Sequence, residues 1–321
     1  MSVGRQKPVS SGMSRTDRIL IITIVLAASV FPVDLQPGTQ REPRGTDGSF
    51  SGKQGQVLLV PIATERAPAA VTGQFLGRRI PFYQRPGSGV PGEYLGLLGI
   101  DMQDPPGTHE LIVDVHSPPE DVRLSYNVVV VDKHFPVQKL TLPKDKVELD
   151  KQALIRVKAE QRQVRRVLGL VSQEPRWAKS FIAPVEGITS GAFGRRRVIN
   201  GRPRNPHSGE DIAAPTGANV LATNDGIVRL TVDHFFSGKG IFVDHGLGLH
   251  SMYFHLSEIS VVEGQLVRRG EVIGQVGASG RATGPHLHWG IRLNGARVDP
   301  YSLTTLPLDG TGPLAARRTE D

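Results

Sequence analysis

The residues best suited to chemistry lie in the C-terminal half of the chain. His207 and Asp211 stand four positions apart, and His288 follows much later. Two imidazoles and one carboxylate are a ligand set of catalytic zinc sites, which keep a fourth position open, whereas structural sites are closed by four ligands and are often rich in cysteine. The chain has no cysteine. The residue types therefore predict a zinc site that performs chemistry rather than one that only supports the fold.

The spacing of His286 and His288 predicts the element that holds them. On a β-strand, residues i and i+2 point to the same face, so both imidazoles are expected to enter one cleft. Residues 289–293 continue the apolar strand pattern, and Asn294-Gly295 is a strong signal for a hairpin turn.

The other pair, His207 and Asp211, is expected in a loop. A separation of four residues also fits one face of a helix, but Pro206 and Pro215 flank the pair and no apolar helical period runs through it. We therefore expect a loop that leads into a strand at Ile212.

A further histidine, His255, lies in the β-rich stretch at 251–256 and is expected on a strand or at its end. From there it can reach the same cleft as His286. Amide hydrolysis beside a metal ion uses one group that takes a proton and another that donates to the developing oxyanion. His255 and His286 are the candidates for these two tasks.

Three longer motifs surround these histidines. They read HSGEDIAAPTG at 207–217, YFHL at 253–256 and GASGRATGPHLHW at 277–289. With these motifs, the stretch from about 180 to 303 resembles the lysostaphin-type zinc metallopeptidases, family M23 with LytM-like domains. The resemblance covers about 120 of the 321 residues.

The resemblance implies a role for each residue of the constellation. His207, Asp211 and His288 match the zinc ligands, so we expect one Zn²⁺ as cofactor, and His255 and His286 match the catalytic histidines. All five residues are present. This matters because degenerate members of the family lack some of them and act as activators of other hydrolases.

The expected activity is zinc-dependent endopeptidase cleavage of peptide cross-links in bacterial peptidoglycan, with the D-Ala–diaminopimelate bond favoured over a glycine bridge. Two alternatives stay open: a non-catalytic LytM-like activator of another cell-wall hydrolase, and a cell-wall binding module. The intact constellation favours the enzyme. Asn200 and Arg204, just before the first ligand, are candidates to line the substrate groove, and a role as turn residues is the alternative for both.

Composition narrows the class of partner. The chain has 38 Lys and Arg against 31 Asp and Glu, a formal net charge of +7. This balance favours an anionic surface or polymer. No basic run is interleaved with aromatic residues that could stack on bases, so nucleic acid is not expected as a partner.

The N-terminus points to export. Ile19–Phe31 is mostly apolar, follows Arg15 and Arg18, and is short for a transmembrane helix, which needs about 20 residues. It fits the apolar region of a signal peptide. We expect residues 1–33 to be a signal peptide or an anchor, the protein to act in the periplasm or cell envelope, and the membrane to be a partner only if the segment is not cleaved.

The pattern of short apolar runs and turn signals along the chain predicts a mainly β protein with several segments. Residues 34–54 are polar and predict a flexible spacer. Short apolar runs separated by turn signals at 55–134 predict a β-sandwich and resemble the Ig-like domain that precedes the peptidase in some family members.

The domain boundaries after residue 134 depend on one helical pattern and on the polar C-terminal end of the chain. Residues 135–179 are expected to form a linker that contains a helix at about 150–170, which Asp150 can cap. The β-rich peptidase domain is expected at 180–303. The last residues, 304–321, predict a disordered tail.

Overall fold

The structure, a computed structural model, describes residues 48–64, 68–84, 92–141 and 149–308. It is mainly β, as the sequence predicts. The predicted signal peptide or anchor at 1–33 lies outside the described residues. Among those described, no helix is both long enough and apolar enough to cross a membrane.

Seven strands form an N-terminal sheet: β1 (Ser49–Lys53), β2 (Val57–Ala63), β3 (Ala70–Phe75), β4 (Arg78–Gln84), β5 (Glu93–Gly99), β6 (Gly107–His116) and β7 (Val122–Val131). They pair in the order β1-β7-β6-β3-β4-β5-β2. The first residues of β4 pair with β3 and its last residues pair with β5, so the sheet turns at β4 and encloses one apolar core. An Ig-like relationship for this region stays a prediction.

The predicted spacer at 34–54 is wrong at its C-terminal end, because Ser49–Lys53 form β1. This strand pairs in parallel with β7, and the ring of Phe50 lies edge-on to that of Tyr126 with centroids 5.7 Å apart. At Gly52, a side chain would come within 2.8 Å of Ile100. Apart from Phe50, the strand is made of small and polar residues, so it depends on its partner β7 more than on its own propensity.

A small second sheet and a helix lie outside the two large sheets. The sheet contains β8 (Val137–Leu140), β10 (Arg196–Ile199) and β11 (Arg202–Arg204), in the order β11-β10-β8. The predicted helix is α1 (Lys151–Leu168), and the carboxylate of Asp150 accepts a hydrogen bond from Ala153 N at 2.7 Å.

The linker predicted at 135–179 is therefore more structured than expected. Besides β8 and α1, it contains Trp177, which is buried and packs edge-on against Tyr83 at 5.8 Å between ring centroids. Pairing of β8 with a distant strand and burial of an indole are tertiary effects that the local pattern does not indicate.

Ten strands form the C-terminal sheet: β9 (Ile188–Gly191), β12 (Gly209–Ala213), β13 (Asn219–Leu221), β14 (Gly226–His234), β15 (Gly238–Gly246), β16 (Leu249–Ile259), β17 (Leu266–Val267), β18 (Val272–Val276), β19 (Leu287–Leu293) and β20 (Ala296–Val298). The main path is β17-β14-β15-β16-β19-β12-β9, with β13, β18 and β20 paired beside it. Trp289 and Tyr253 are fully buried in its core.

The predicted disordered tail at 304–321 begins too early. A short helix, α2 (Pro300–Thr304), follows the last strand, Leu308 is buried in the core and Leu306 packs against it. The hydroxyl of Ser180 donates to the carbonyl of Leu306 at 2.9 Å. Residues 309–321 lie outside the described part of the chain.

The two large sheets share an apolar core. Leu95 and Leu97 of β5 belong to the same buried cluster as Leu293 and Val298 of the C-terminal sheet. Two ion pairs cross the same boundary: Asp101 with Arg297 at 2.6 Å, and Lys133 with Asp299 at 2.7 Å. The N-terminal sheet is thus packed directly against the part of the chain that carries the candidate site.

Candidate active site

Two neighbouring antiparallel strands place the first candidate ligands opposite each other. Asp211 on β12 pairs in register with His288 on β19. The strand β12 begins at Gly209, earlier than the start predicted at Ile212, so Asp211 lies on a strand and not in a loop. A side chain at Gly209 would come within 2.5 Å of the carbonyl oxygen of Trp289, so this close pairing requires glycine. His207 lies just before the strand.

Three potential ligand atoms converge at this point. Oδ1 of Asp211 lies 3.0 Å from Nε2 of His207 and 2.8 Å from Nδ1 of His288, and the two nitrogens are 3.0 Å apart. We assign the ring proton of neutral His207 to Nδ1, because Nδ1 lies 3.1 Å from the carbonyl oxygen of Ala192, which can only accept. Nε2 then presents a lone pair to the other two atoms.

The donor set fits a zinc ion. Three potential ligand atoms this close together can bind one metal ion, and zinc binds imidazole and carboxylate at about 2.0–2.2 Å. Burial lowers the pKa of His288 to about 4, so this ring is in the neutral form that binds metals. Burial alone would raise the pKa of Asp211, but the adjacent rings of His207 and His288 hold it well below the usual range.

His255 is aimed at the cleft by an unusual backbone. It lies on β16 with a φ of 63°, a left-handed conformation that is uncommon outside glycine and clusters at functional sites. Its N–H donates to the carbonyl of Ser237 at 3.0 Å, and its Nδ1–H donates to the carbonyl of Ser279 at 2.9 Å. Burial lowers the pKa of His255, so the ring presents an unprotonated Nε2.

His286 forms a pair with His255. Their ring centroids are 4.7 Å apart, and Nε2 of His286 lies 3.8 Å from Oδ1 of Asp211. The Nδ1–H of His286 donates to the carbonyl of Gly284 at 2.8 Å. His286 precedes β19 and forms an isolated bridge with Gly277, yet both it and His288 line the cleft, as the two-residue spacing predicts.

These residues lie in a cleft of about 950 Å³. Its lining includes two leucines at the start of α1, the tip of the β14–β15 hairpin and three arginines: Leu149, Leu154, Phe236, Ser237, Arg202, Arg204 and Arg281. The guanidinium of Arg281 lies over the ring of Phe236 at 5.6 Å.

The two candidate groove residues differ in position. Arg204 lines the cleft together with His207. Asn200 lies in the two-residue turn between β10 and β11, where its φ of 52° and the φ of 76° at Gly201 match the left-handed conformations of an Asn-Gly hairpin. The structure thus gives Asn200 the turn position that was the alternative for it.

Two buried polar side chains stand outside the set of site residues predicted from the sequence. Glu210 is buried on the opposite face of β12 from Asp211 and accepts a hydrogen bond from Phe193 N at 2.9 Å. His245 is fully buried, and its ring bonds the carbonyl of Asp225 and the hydroxyl of Ser251, each at 2.7 Å. Strand alternation would have placed Glu210 away from the metal, but only if the start of β12 had been known.

Comparison with known proteins identifies the family. Residues 205–300 match the profile of Peptidase family M23. A crystal structure described as a peptidase M23 from Pseudomonas aeruginosa is 32% identical, covers 78% of this chain and 94% of its own, and superposes with a TM-score of 0.60. The chain belongs to peptidase family M23.

Two further relatives of this M23 chain have names that describe an activity. DD-carboxypeptidase/endopeptidase Mpg of Neisseria meningitidis is 45% identical over 97 residues, which are 30% of this chain and 22% of that protein. Peptidoglycan DD-endopeptidase ShyB of Vibrio cholerae is 42% identical over 113 residues, 35% of this chain and 26% of that protein. This M23 chain therefore matches about a quarter of the length of these relatives.

Proposed function

We propose that this M23 peptidase is a zinc-dependent endopeptidase that hydrolyses peptide cross-links of bacterial peptidoglycan. The observation that carries the proposal is the convergence of His207, Asp211 and His288 on one point, with His255 and His286 beside it. In this proposal the first three residues hold the metal. When bound, zinc supplies Lewis-acid chemistry, which activates a carbonyl group and water toward each other.

The two remaining histidines move the protons. Because burial lowers the pKa of His255, its neutral ring is suited to accept a proton from the attacking water and to return it to the leaving amine. His286 is then the donor to the oxyanion that develops on the scissile carbonyl, a task that requires a proton on Nε2 in addition to the one that Nδ1 donates to Gly284. Hydrogen bonds from each Nδ1 to a backbone carbonyl hold both rings with Nε2 available for this chemistry.

The lining of the cleft supports an anionic peptide as substrate. Arg202, Arg204 and Arg281 line it, and Asp211 is the one acidic residue among the described residues of the lining. Arginine binds carboxylates through paired, charge-assisted hydrogen bonds. In a D-Ala–diaminopimelate cross-link, diaminopimelate carries a free carboxylate next to the amide, whereas a glycine bridge has no such group. The relatives named DD-endopeptidase support the same choice.

The proposal extends to the organisation of the chain. We assign a peptidase domain to 180–308 and a sandwich domain to 49–134, which the cluster confined to the N-terminal sheet supports and the cluster shared by both sheets opposes. Peptidoglycan lies outside the cytoplasmic membrane, so the proposed substrate supports export to the periplasm or cell envelope.

Purified protein incubated with cross-linked muropeptide dimers tests the substrate. We expect monomers, with a chelator abolishing the reaction and added zinc restoring it. Arg204→Ala is expected to raise KM for the dimer while leaving zinc content unchanged. Dimers that stay intact while a pentaglycine peptide is cut would contradict the proposed bond. Failure to cut either peptide, with enhanced activity of a second cell-wall hydrolase, would favour the activator alternative.

A further inference from the structure

We propose that a single peptide group, the amide between Ala192 and Phe193, positions His207, and that Glu210 and the N-terminal sheet hold this amide in place. The inference rests on the proposed role of His207 as a zinc ligand. It makes Glu210 a positioning residue and makes the N-terminal sheet a structural part of the active site.

Both ends of this amide are bonded, and they are bonded to functional neighbours. Its carbonyl, on Ala192, accepts from Nδ1 of His207 at 3.1 Å, and its N–H, on Phe193, donates to Oε1 of Glu210 at 2.9 Å. Two more hydrogen bonds connect the same loop to the backbone of His207: Gly194 N to the carbonyl of His207 at 2.8 Å, and His207 N to the carbonyl of Arg195 at 3.0 Å. The loop therefore holds both the backbone and the ring of His207.

Burial of the Glu210 carboxylate costs free energy, and the hydrogen bond to Phe193 N accounts for its position. Glu210 is 5% exposed, and Oε2 has no hydrogen-bond partner among the described residues. Burial of a carboxylate is unfavourable unless a hydrogen bond compensates for lost water, and the bond to Phe193 N supplies that compensation. An acceptor on the N–H side also polarises the amide, which strengthens its carbonyl as the acceptor for His207.

The side chain of Phe193 attaches the same amide to the N-terminal sheet. Phe193 is 2% exposed, and its ring lies edge-on to Phe135 with centroids 5.8 Å apart. The ammonium of Lys133 lies 5.6 Å from the centroid of each ring. At Gly55, in the turn between β1 and β2, a side chain would come within 2.5 Å of the Phe193 ring. Gly55, which precedes β2, and Lys133 and Phe135, which follow β7, thus surround the Phe193 ring.

The consequence concerns the geometry of the metal ligand. The hydrogen bond to Ala192 fixes the tautomer and the ring plane of His207, so Nε2 faces Asp211 and His288. Loss of such an outer hydrogen-bond partner typically weakens metal binding by about 10- to 100-fold. A residue with a purely structural role would change stability and leave the metal affinity of the folded protein unchanged.

The test compares Glu210→Leu with Glu210→Gln in the full chain. Zinc affinity is measured by competition with a chromogenic chelator, and the visible spectrum of the Co²⁺-loaded protein reports the geometry of its ligands. Glu210→Leu is expected to bind zinc about 10- to 100-fold more weakly and to alter the Co²⁺ spectrum. Glu210→Gln retains an acceptor for Phe193 N and is expected to keep the wild-type affinity and spectrum.

Asp101→Asn is the matched control. Asp101 is 7% exposed and forms an ion pair across the same boundary, with Arg297, and its carboxylate accepts hydrogen bonds from Arg297 and Gln103 rather than from the Ala192–Phe193 amide. This variant is expected to be less stable but to bind zinc with the wild-type Kd. If Glu210→Leu does not fold, Phe135→Leu performs the same test, since it removes the ring that supports Phe193, and about tenfold weaker zinc binding is expected.

The possible results separate this inference from the proposed function. A wild-type protein that binds no zinc overturns the proposed function. A wild-type protein that binds zinc, together with a folded Glu210→Leu variant of equal zinc affinity and unchanged Co²⁺ spectrum, overturns the inference alone. Equal losses in Glu210→Gln and Glu210→Leu also overturn it, because the hydrogen-bond acceptor would not be the property that matters.

Discussion

Among the individual residues, the candidate metal site depends on three potential ligand atoms that lie close together. Oδ1 of Asp211 and one nitrogen each of His207 and His288 lie 2.8–3.0 Å apart. We expect each of these three candidate ligands to be needed, because Asp211 is the one carboxylate among the described residues of the cleft and a hydrogen bond orients the His207 ring beside it.

The first prediction concerns His288. His288→Ala removes a ligand and is expected to weaken zinc binding by at least about 100-fold, since even changes in outer partners cost up to that factor. Metal analysis after gel filtration should find about one zinc ion per wild-type chain and little in the variant. His234→Ala, which changes a histidine whose ring faces Gln163 on α1, is the control. Full zinc retention by His288→Ala would remove it from the ligand set.

The second prediction separates proton transfer from metal binding. His255→Ala is expected to keep its zinc and to lose about 10²- to 10⁴-fold in kcat, because its proposed task is to move a proton. Zinc content and kcat on muropeptide dimers are measured on the same preparation. Zinc loss in proportion to activity loss would show that His255 supports the metal rather than the proton transfer.

At the scale of elements, helix α1 is connected to the hairpin that lines the cleft. The carboxylate of Glu160 accepts from Phe235 N at 3.0 and 3.2 Å, and the guanidinium of Arg156 donates to the carbonyl of Asp233 at 2.8 Å. The hairpin in turn supplies Ser237, whose carbonyl accepts from the backbone N–H of His255. The helix thus supports the hairpin on which the position of His255 depends.

The third prediction tests this connection. Glu160→Ala leaves Phe235 N without its acceptor and is expected to lower the free energy of unfolding by about 1–3 kcal/mol. Urea unfolding followed by circular dichroism measures the change. Glu160→Gln retains an acceptor and should lose less stability. Equal stability of the alanine variant and the wild type would show that the helix does not support the hairpin.

The fourth prediction concerns the close approach of β9 and β12. A side chain at Gly191 would collide with the carboxylate of Asp211, so Gly191→Ala is expected to displace this ligand and abolish most zinc binding in a folded protein. Gly284→Ala is the control, because a side chain there would meet nothing within 4 Å. Zinc affinity is measured for both. Wild-type affinity in Gly191→Ala would mean that β9 can move away at little cost.

At the scale of the whole molecule, buried histidines couple stability to pH. Burial lowers the pKa of His245 to about 4 and also lowers that of His250. An unfolded histidine has a pKa of about 6.5. Between about pH 6.5 and pH 4 the unfolded chain therefore binds more protons than the folded chain, and stability is lost as the pH falls.

The fifth prediction concerns this loss of stability as the pH falls. The free energy of unfolding should fall by up to about 1.4 kcal/mol per pH unit for His245 alone as the pH drops from 6.5 toward 4. Urea unfolding at several pH values, with a chelator throughout, measures the slope. His245→Gln should have a shallower slope than the wild type over the same range. Parallel slopes would show that protonation of His245 does not contribute.

The shared core of the two large sheets is a property of the whole molecule that no single motif indicates. Leu95 and Leu97 pack with Leu293 and Val298, and the amide at Ala192–Phe193 is supported from both sheets. Strand pairing and packing between residues more than a hundred positions apart depend on tertiary contacts, which periodicity in a short window does not report.

Several features of the fold and the site can be predicted from local rules alone. The mainly β character, the helix capped by Asp150 and the shared cleft of His286 and His288 depend on residue types and on spacings of a few positions. Only the tertiary structure decided that Ser49–Lys53 form a strand, that Leu308 is buried and that Glu210 faces Phe193. Each of these depends on a partner far away in the chain, whose position is settled only when the sheets pack.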